Sequence, residues 1–382
     1  MSDNTSNEPA TNPVSEDKSV RDSAFHPKIL TTLRDYNLPT LGADLMAGLT
    51  VAMVALPLAM AIAIASGAEP GAGLITSIVA GLAISAFGGS RIQIGGPTGA
   101  FIVVVYDVIA RHGYDGLLVA TLMAGIILIV AGVFKAGRLI RHVPEPVING
   151  FTIGIAVIIA ASQISDFFGI SAGKLPADFL PKLAALWEAH GTWSAASTVI
   201  ALVTLVLIVI FRKAAPRLPG LLVAVALTSA AVPLLGLEVD TIASRFGEIS
   251  SSLPTPSLPA IDLGTLQELL PSAIIIAFLA GIESLLSALV ADRMAGTAHR
   301  SNTELTAQGL ANCISVVFGG LPATGAIART ATNIRAGAKT PVSGIAHSLF
   351  LLGFMMLAAP LAGMLALPAL SAVLVLTAWN MA

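Results

Sequence analysis

Cysteine is nearly missing from this chain: Cys313 is the only one among 382 residues. No internal disulfide can form, and with six histidines scattered along the sequence there is no Cys/His spacing of a structural metal site. Cys313 lies inside an apolar run and reads as a small packing residue. Charge is scarce as well. Asp, Glu, Lys and Arg make up 11% of the chain and nearly cancel, leaving −2. Such a balance provides no basic surface for nucleic acid, and neither HExxH nor a Walker phosphate loop occurs. No metal, nucleotide or other cofactor is implied. Aromatic residues are only 5%, and the apolar segments lack the ~10-residue alternation of a membrane β-barrel.

What the chain has instead is apolar length. Hydrophobic residues make up 55% of it and mean hydropathy is +0.86, well outside the balance of a soluble domain. Gly and Ala in runs long enough to cross a bilayer indicate an all-α integral membrane protein. Apolar segments fall near 44–66, 70–88, 97–110, 115–134, 146–165, 194–211 and 219–236, then near 267–291, 303–319, 325–335, 341–358 and 363–380. A polar, proline-rich loop over 237–263 divides the two sets. Of these twelve segments, the third and the tenth are too short to span. Residues 1 to about 27 are polar and acidic, a solvated tail rather than a cleavable leader. With that tail inside, 15 of the 20 Lys and Arg residues fall on the inner side, among them Lys18, Arg21, Arg141 and Arg217. Four (Arg111, Lys174, Lys182 and Arg245) fall outside, where Glu238, Asp240, Glu248 and Asp262 also gather. The positive-inside rule then places the N-terminus in the cytoplasm, provided both short segments count as crossings.

The short segments match each other. GPTGAF (Gly96 to Phe101) aligns with PATGAI (Pro322 to Ile327), an offset of 226 that places Gly99 on Gly325. The same offset carries 44–66 onto 270–292 and 115–135 onto 341–361. Seven segments therefore begin again, and because seven is odd the second copy must run inverted, as in many secondary transporters. On this reading the second copy would close near residue 462, two helices beyond the last residue of this chain.

Broken helices at membrane depth need shielded or cavity-lining backbone. Arg91 to Ile94 reads as a short extended entry to the Gly95-Gly96-Pro97 turn, with a helix from Thr98 and Pro97 in its first turn. In the second copy Leu321-Pro322-Ala323 enters and Thr324-Gly325-Ala326 starts the helix. Two helix N-termini are thus expected to converge near the midplane, each with free N–H donors and roughly +0.5 of a charge. Arg329, one turn into the second half-helix, brings the focus to about +2, which suits a small anion. The alternative is that the glycines only allow close packing, with Arg329 in a structural pair. Glu283 is the other ionisable group at depth. Burial favours its neutral form and a nearby cation its charged form, so it is a candidate proton carrier. A charged Glu283 would weaken the anion site and a bound anion would favour its protonation, which amounts to symport. A permanent Glu283–Arg329 ion pair is the structural alternative. Pro57 would kink the first helix toward the same place. His347 reads as packed, Gly150 and Gly154 as a close-packing GxxxG, and Asp44 as a cap or interface residue.

The runs DLMAGLTVAMVALPLAMAIAIASG, GGSRIQIGGPTGAF, GIESLLSALVADRMAG and GGLPATGAIARTATNIRAGAKTPVSGI closely resemble the sulfate permease (SulP) family of anion transporters over roughly 40–382. The resemblance implies a 7+7 inverted-repeat, uracil-permease-like fold with two half-helices preceded by short strands, in a bacterial inner membrane. It implies a cytoplasmic tail (1–39), a core domain (40–142 and 264–360), a gate domain (143–237 and an incomplete 361–382) and an extracellular loop (238–263). It also implies a homodimer and a C-terminal cytoplasmic STAS domain, which lies outside this chain. The anion would sit between Pro97, Thr98, Gly99, Ala100 and Phe101 on one half-helix and Thr324, Gly325, Ala326, Ile327, Ala328 and Arg329 on the other. Leu58 and Ile62 would line it, with Glu283 and Ser287 coupling protons. Leu58 stands where many members have Gln, which weakens the case for strongly hydrated sulfate. In sodium-driven bicarbonate members Glu283 and Ser287 are matched by Asp and Thr, and Arg329 by a small residue.

These features lead to the expectation of a secondary active transporter of small anions. Candidate substrates are a fumarate-like C4 dicarboxylate, bicarbonate or sulfate, driven by protons through elevator-type or rocking movement of core against gate. Sodium-coupled bicarbonate uptake, anion exchange and an anion channel are the alternatives. A uracil-permease-like carrier is disfavoured by Arg329, and an intramembrane enzyme by the lack of a nucleophile with a base.

Overall fold

The computed structural model describes residues 25–34, 36–138, 145–173, 175–176, 178–215, 219–260 and 263–381. The tail residues Lys18 and Arg21, together with Arg141, Lys174, Arg217 and Asp262, lie outside the described residues. The described chain is almost entirely helical. In order it forms α1 (Ile29–Thr32), α2 (Leu38–Ala65), α3 (Pro70–Phe87), β1 (Gly95–Gly96), a 3-10 turn (Gly99–Phe101), α4 (Ile102–Val133) and α5 (Glu145–Ser162). There follow α6 (Ile164–Phe168), α7 (Phe179–Glu188), α8 (Ala195–Ala214), α9 (Gly220–Leu234), α10 (Ile242–Phe246), α11 (Leu263–Ala295) and α12 (Ser301–Val317). The chain continues through β2 (Thr324–Gly325), α13 (Ile327–Arg335), α14 (Val342–Gly363) and α15 (Leu367–Met381).

Among the described residues, six helical stretches are long and apolar enough to cross a membrane, and three shorter apolar ones accompany them. The local chemistry explains their ends. Asn37 caps α2 by accepting from Thr40 N at 2.9 Å, with Pro39 in the first turn. Within α4 the backbone turns at Gly113 (φ 70°, ψ −176°), a conformation in which side chains are disfavoured. It separates a short third segment from a spanning fourth, as the sequence reading requires.

The helices pack in two groups. α2, α3, α4, α11, α12, α13 and α14 pack on one another, while α5, α6, α8 and α9 gather around α15. The groups meet where α2 touches α9 and α15, and where α5 lies against the 3-10 turn. Small residues bring backbones together inside the first group. A Cβ on Gly125 of α4 would lie 2.7 Å from Cys313 Sγ and 2.8 Å from the Gly309 carbonyl of α12, so Cys313 has the packing role its sequence context suggests.

Two expectations change. Gly150 and Gly154 are exposed on α5, and a Cβ on either would meet nothing within 4 Å, so the GxxxG packs on no helix among the described residues. The loop over 237–263 is more than a polar connection. It carries α10 behind a Thr241 capping box, and Thr241 bridges Ala366 at the start of α15. An amphipathic helix, α7, also occupies the connection between α6 and α8, with Lys182 and Leu186 buried and Leu180 and Trp187 exposed.

Candidate functional site

The two breaks in the helices meet through a two-residue antiparallel ladder. Gly95 pairs with Gly325 and Gly96 with Thr324. Ala326 N extends the contact by donating to Ile94 O at 2.8 Å, and Ile94 N donates to Thr330 Oγ1 at 3.0 Å. Backbone groups that would be orphaned at membrane depth are thereby satisfied across the two repeats.

Helix starts are displaced from the sequence reading. Thr98 is an extended N-cap, with the helix opening as a 3-10 turn at Gly99, so Pro97 precedes the helix rather than occupying its first turn. Thr324 and Gly325 are strand residues, and Ala326 is the N-cap of α13. The two N-caps lie 228 positions apart, two more than the 226 of the sequence alignment, so the shared letters Thr-Gly-Ala fall on the helix start in the first copy and on the strand before it in the second.

Neither N-terminus is capped by a side chain. The Thr98 hydroxyl turns away from its own helix and donates to Glu283 Oε2 at 2.7 Å. Glu283 lies on α11 and is half-buried, whereas its neighbours Ser284 and Ser287 are fully buried. Arg329, 2% exposed, donates to Pro97 O at 3.2 Å and to Ser77 Oγ at 3.4 Å, and its Nε–H has no protein partner. Arg329 thus bonds across to the first half-helix, and no contact joins it to Glu283 within the 4.0 Å of an ion pair. A permanent Glu283–Arg329 bridge is not what holds this region together.

The remaining residues separate into two sets. Gly99, Glu283, Ile327 and Ala328 retain exposure at the convergence, and Pro97, Ala100 and Ala326 sit just behind it. Leu58 and Ile62 of α2 are buried in the same apolar cluster as Ala100. Phe101 belongs to a different cluster, with Val105 and Leu117. Thr324 donates to Ala280 O at 2.8 Å, and Ser287 shares a 3.2 Å hydrogen bond with Thr330, so both are engaged inside the protein. Pro57 is buried within α2, and His347 is fully buried in α14. Asp44 accepts from Lys339 N at 2.7 Å and Thr340 N at 3.1 Å, an interface role at the entry to α14. Burial and that carboxylate push the Tyr36 phenol up to about 12.

One buried polar network escaped the sequence reading. Glu304 of α12 is fully buried, and its carboxylate accepts from Gly89 N (2.8 Å), Ser90 N (3.0 Å), Ser284 Oγ (3.1 Å) and Gln308 Nε2 (2.9 Å). Ser284 in turn accepts from Gln93 Nε2 at 3.1 Å, and a Cβ on Gly325 would overlap that amide. Farther along the same helix face, Asn312 accepts from Ala323 N at 2.8 Å and donates to Ala323 O at 2.9 Å. The signal was present as Glu, Gln and Asn at i, i+4 and i+8, a polar stripe through a segment counted only as apolar. Among the described residues no group of three His, Cys, Asp or Glu would hold a metal ion. A separate cavity of about 540 Å³ lies beside Glu69, Tyr114, Phe246 and Glu248; its two carboxylates and lack of a lining cation make it unsuited to an anion.

Two half-helix N-termini thus converge through a short ladder, with a buried arginine and a carboxylate beside them, as the sequence reading expects. Residues 41–382 match the sequence pattern of the Sulfate permease family. The chain belongs to that family. YvdB of Bacillus subtilis (strain 168), provisionally named a sulfate transporter, is 44% identical over 91% of this chain and 66% of its own. The bicarbonate transporter BicA of Synechocystis is 35% identical over 87% of this chain and 60% of its own. The chain therefore spans less than two thirds of the length of these curated relatives. The solved transmembrane domain of a cyanobacterial BicA superposes with a TM-score of 0.82 at 32% identity, covering 91% of this chain and 89% of that one. Murine Solute Carrier 26 family member A9, in its inward-facing state, gives 0.83 at 18% identity over 98% of this chain and 66% of that one, a likeness of fold alone. The fold is thus the 7+7 inverted repeat of this family, and the named relatives are transporters rather than enzymes.

Proposed function

We propose that this chain is the membrane part of a proton-coupled secondary transporter of small anions in a bacterial inner membrane. Carboxylate, bicarbonate and sulfate are the substrate class. The observation that carries the reading is the pair of N-termini without side-chain caps, joined by the β1–β2 ladder, with the Arg329 guanidinium buried against Pro97. Together they offer about +2 of charge to a ligand that reaches Gly99 and Ala326. A buried arginine costs between ~3 and ~15 kcal/mol at membrane depth, so its retention favours a ligand role.

Glu283 supplies the coupling. It shares Thr98 with the anion site, so its charge opposes the anion and its protonation favours binding. Linkage makes the converse hold: bound anion favours proton uptake. Alternating access then follows from movement of the α2–α4 and α11–α14 group, the core domain of the sequence reading, against the gate group around α15. Sodium-coupled bicarbonate uptake is the second reading, favoured by the identity to the BicA relatives. Ser287 weighs against it, since its hydroxyl is engaged with Thr330 rather than free beside Glu283. The homodimer and the STAS domain remain part of this proposal for the whole protein.

Proteoliposomes with independently set pH and sodium gradients test both. Uptake of a labelled anion should follow the proton gradient, and Glu283→Gln should retain anion binding but lose that dependence. Full proton drive in Glu283→Gln, or drive by sodium alone, overturns the coupling.

A further inference from the structure

The first turn of the first half-helix packs against α5 of the gate group. Gly99 is the first residue of the 3-10 turn, next to the Thr98 N-cap, where an anion would approach the backbone. A Cβ built on Gly99 would overlap Ile159 Cδ1, and its next neighbour is Cγ1 of the same side chain at 3.5 Å. Ile159 lies on α5, is 1% exposed, and shares an apolar cluster with Leu58, Ile62 and Ala100. The start of the first half-helix therefore reaches a carboxylate through Thr98 and an apolar side chain, Ile159, at Gly99, and Leu58, Ile62 and Ala100 belong to the same apolar cluster as Ile159. Ile159 alone of that apolar set comes from the opposing helix group.

We propose that Ile159 is a specificity-determining residue. Its side chain closes the Gly99 end of the anion site, sets the length of anion the site accepts, and forms the contact that must slide when the two groups move. The inference rests on the anion-transport reading above and deepens it. Because α5 belongs to the group around α15, this closure lasts only while the two groups are apposed as seen here. An isoleucine has a flexible Cδ1 but a fixed branched Cβ, so it yields by one methyl and no more. One added or removed methylene in such a pocket changes discrimination by about 10- to 200-fold.

Two predictions separate this from a packing role. Truncation by Ile159→Ala should raise uptake of fumarate relative to bicarbonate by about tenfold or more. Gly99→Ala should suppress transport of both, and the double variant Gly99→Ala/Ile159→Ala should recover most of it, because each residue fails only in the presence of the other's bulk. Ile153→Ala, on the exposed face of the same helix, should change neither ratio nor rate. The test uses the full chain in proteoliposomes with labelled bicarbonate, sulfate and fumarate, and a thermal-shift binding measurement on each variant to show that it is folded. Recovery in the double variant together with the altered ratio supports the inference. If Ile159→Ala leaves the ratio within about twofold, or if the double variant stays as impaired as Gly99→Ala, the inference is overturned while transport itself stands. If the unsubstituted protein neither binds nor moves any of the three anions, both fall together.

Discussion

Gly96 shows how much a single residue decides. Its φ of 154° lies where side chains are rare, and a Cβ there would overlap the Arg329 guanidinium. The residue is a glycine because the arginine occupies the place of its side chain. Gly96→Ala should displace Arg329 from Pro97 and lower anion affinity at least about tenfold, ~1.4 kcal/mol. Titration of purified protein in detergent, with melting followed in parallel, checks this; unchanged affinity would show that Arg329 is not held by this wall. The sequence made the glycine visible and the arginine visible, yet nothing in the letters between Gly96 and Arg329 says that one packs on the other. That contact exists only because β1 and β2 pair.

At the scale of the element, α12 is the instructive case. Its hydropathy marks a membrane segment, but Glu304, Gln308 and Asn312 align on one face and bind three separate pieces of chain: the α3 end, α11 and the β2 approach. Removing the carboxylate strands two backbone N–H groups, a hydroxyl and an amide, each worth about 1–3 kcal/mol when left unpaired. Glu304→Leu should therefore destabilise the protein by several kcal/mol, read as a large drop in melting temperature. Glu304→Gln, which keeps the shape and one acceptor, should fall between. Equal stability of all three would mean that the network is incidental. The half-helices themselves were legible from their Gly-Pro and Pro-Ala breaks. Their starting residues were not, because a helix cap is chosen by competition with the β1–β2 ladder, and that competition is between segments 228 positions apart.

For the molecule as a whole, the two packing groups make a mechanical prediction. Tyr106, on the first half-helix, donates to Leu175 O at 2.7 Å, and Lys182 of α7 lies 4.5 Å from its ring centre. Cysteines at 106 and 182, in a Cys313→Ser background, joined by a short bifunctional thiol reagent, tether the first half-helix to the connection that belongs with α5 and α8. Cross-linking should cut turnover by at least about tenfold while anion binding, measured by thermal shift, persists; if the groups do not move, turnover should survive it. The distribution of Lys and Arg, the twelve apolar segments and the two broken helices determined the membrane class, the inverted repeat and the candidates Glu283 and Arg329, because hydrophobic length and charge are local properties of the chain. The tertiary structure decided the helix starts in the two copies, the partners of Arg329 and Glu304, and the contact of Ile159 with Gly99. Those depend on which backbones pair and which side chains meet across helices, and such contacts follow from packing in three dimensions that no periodicity along one segment records.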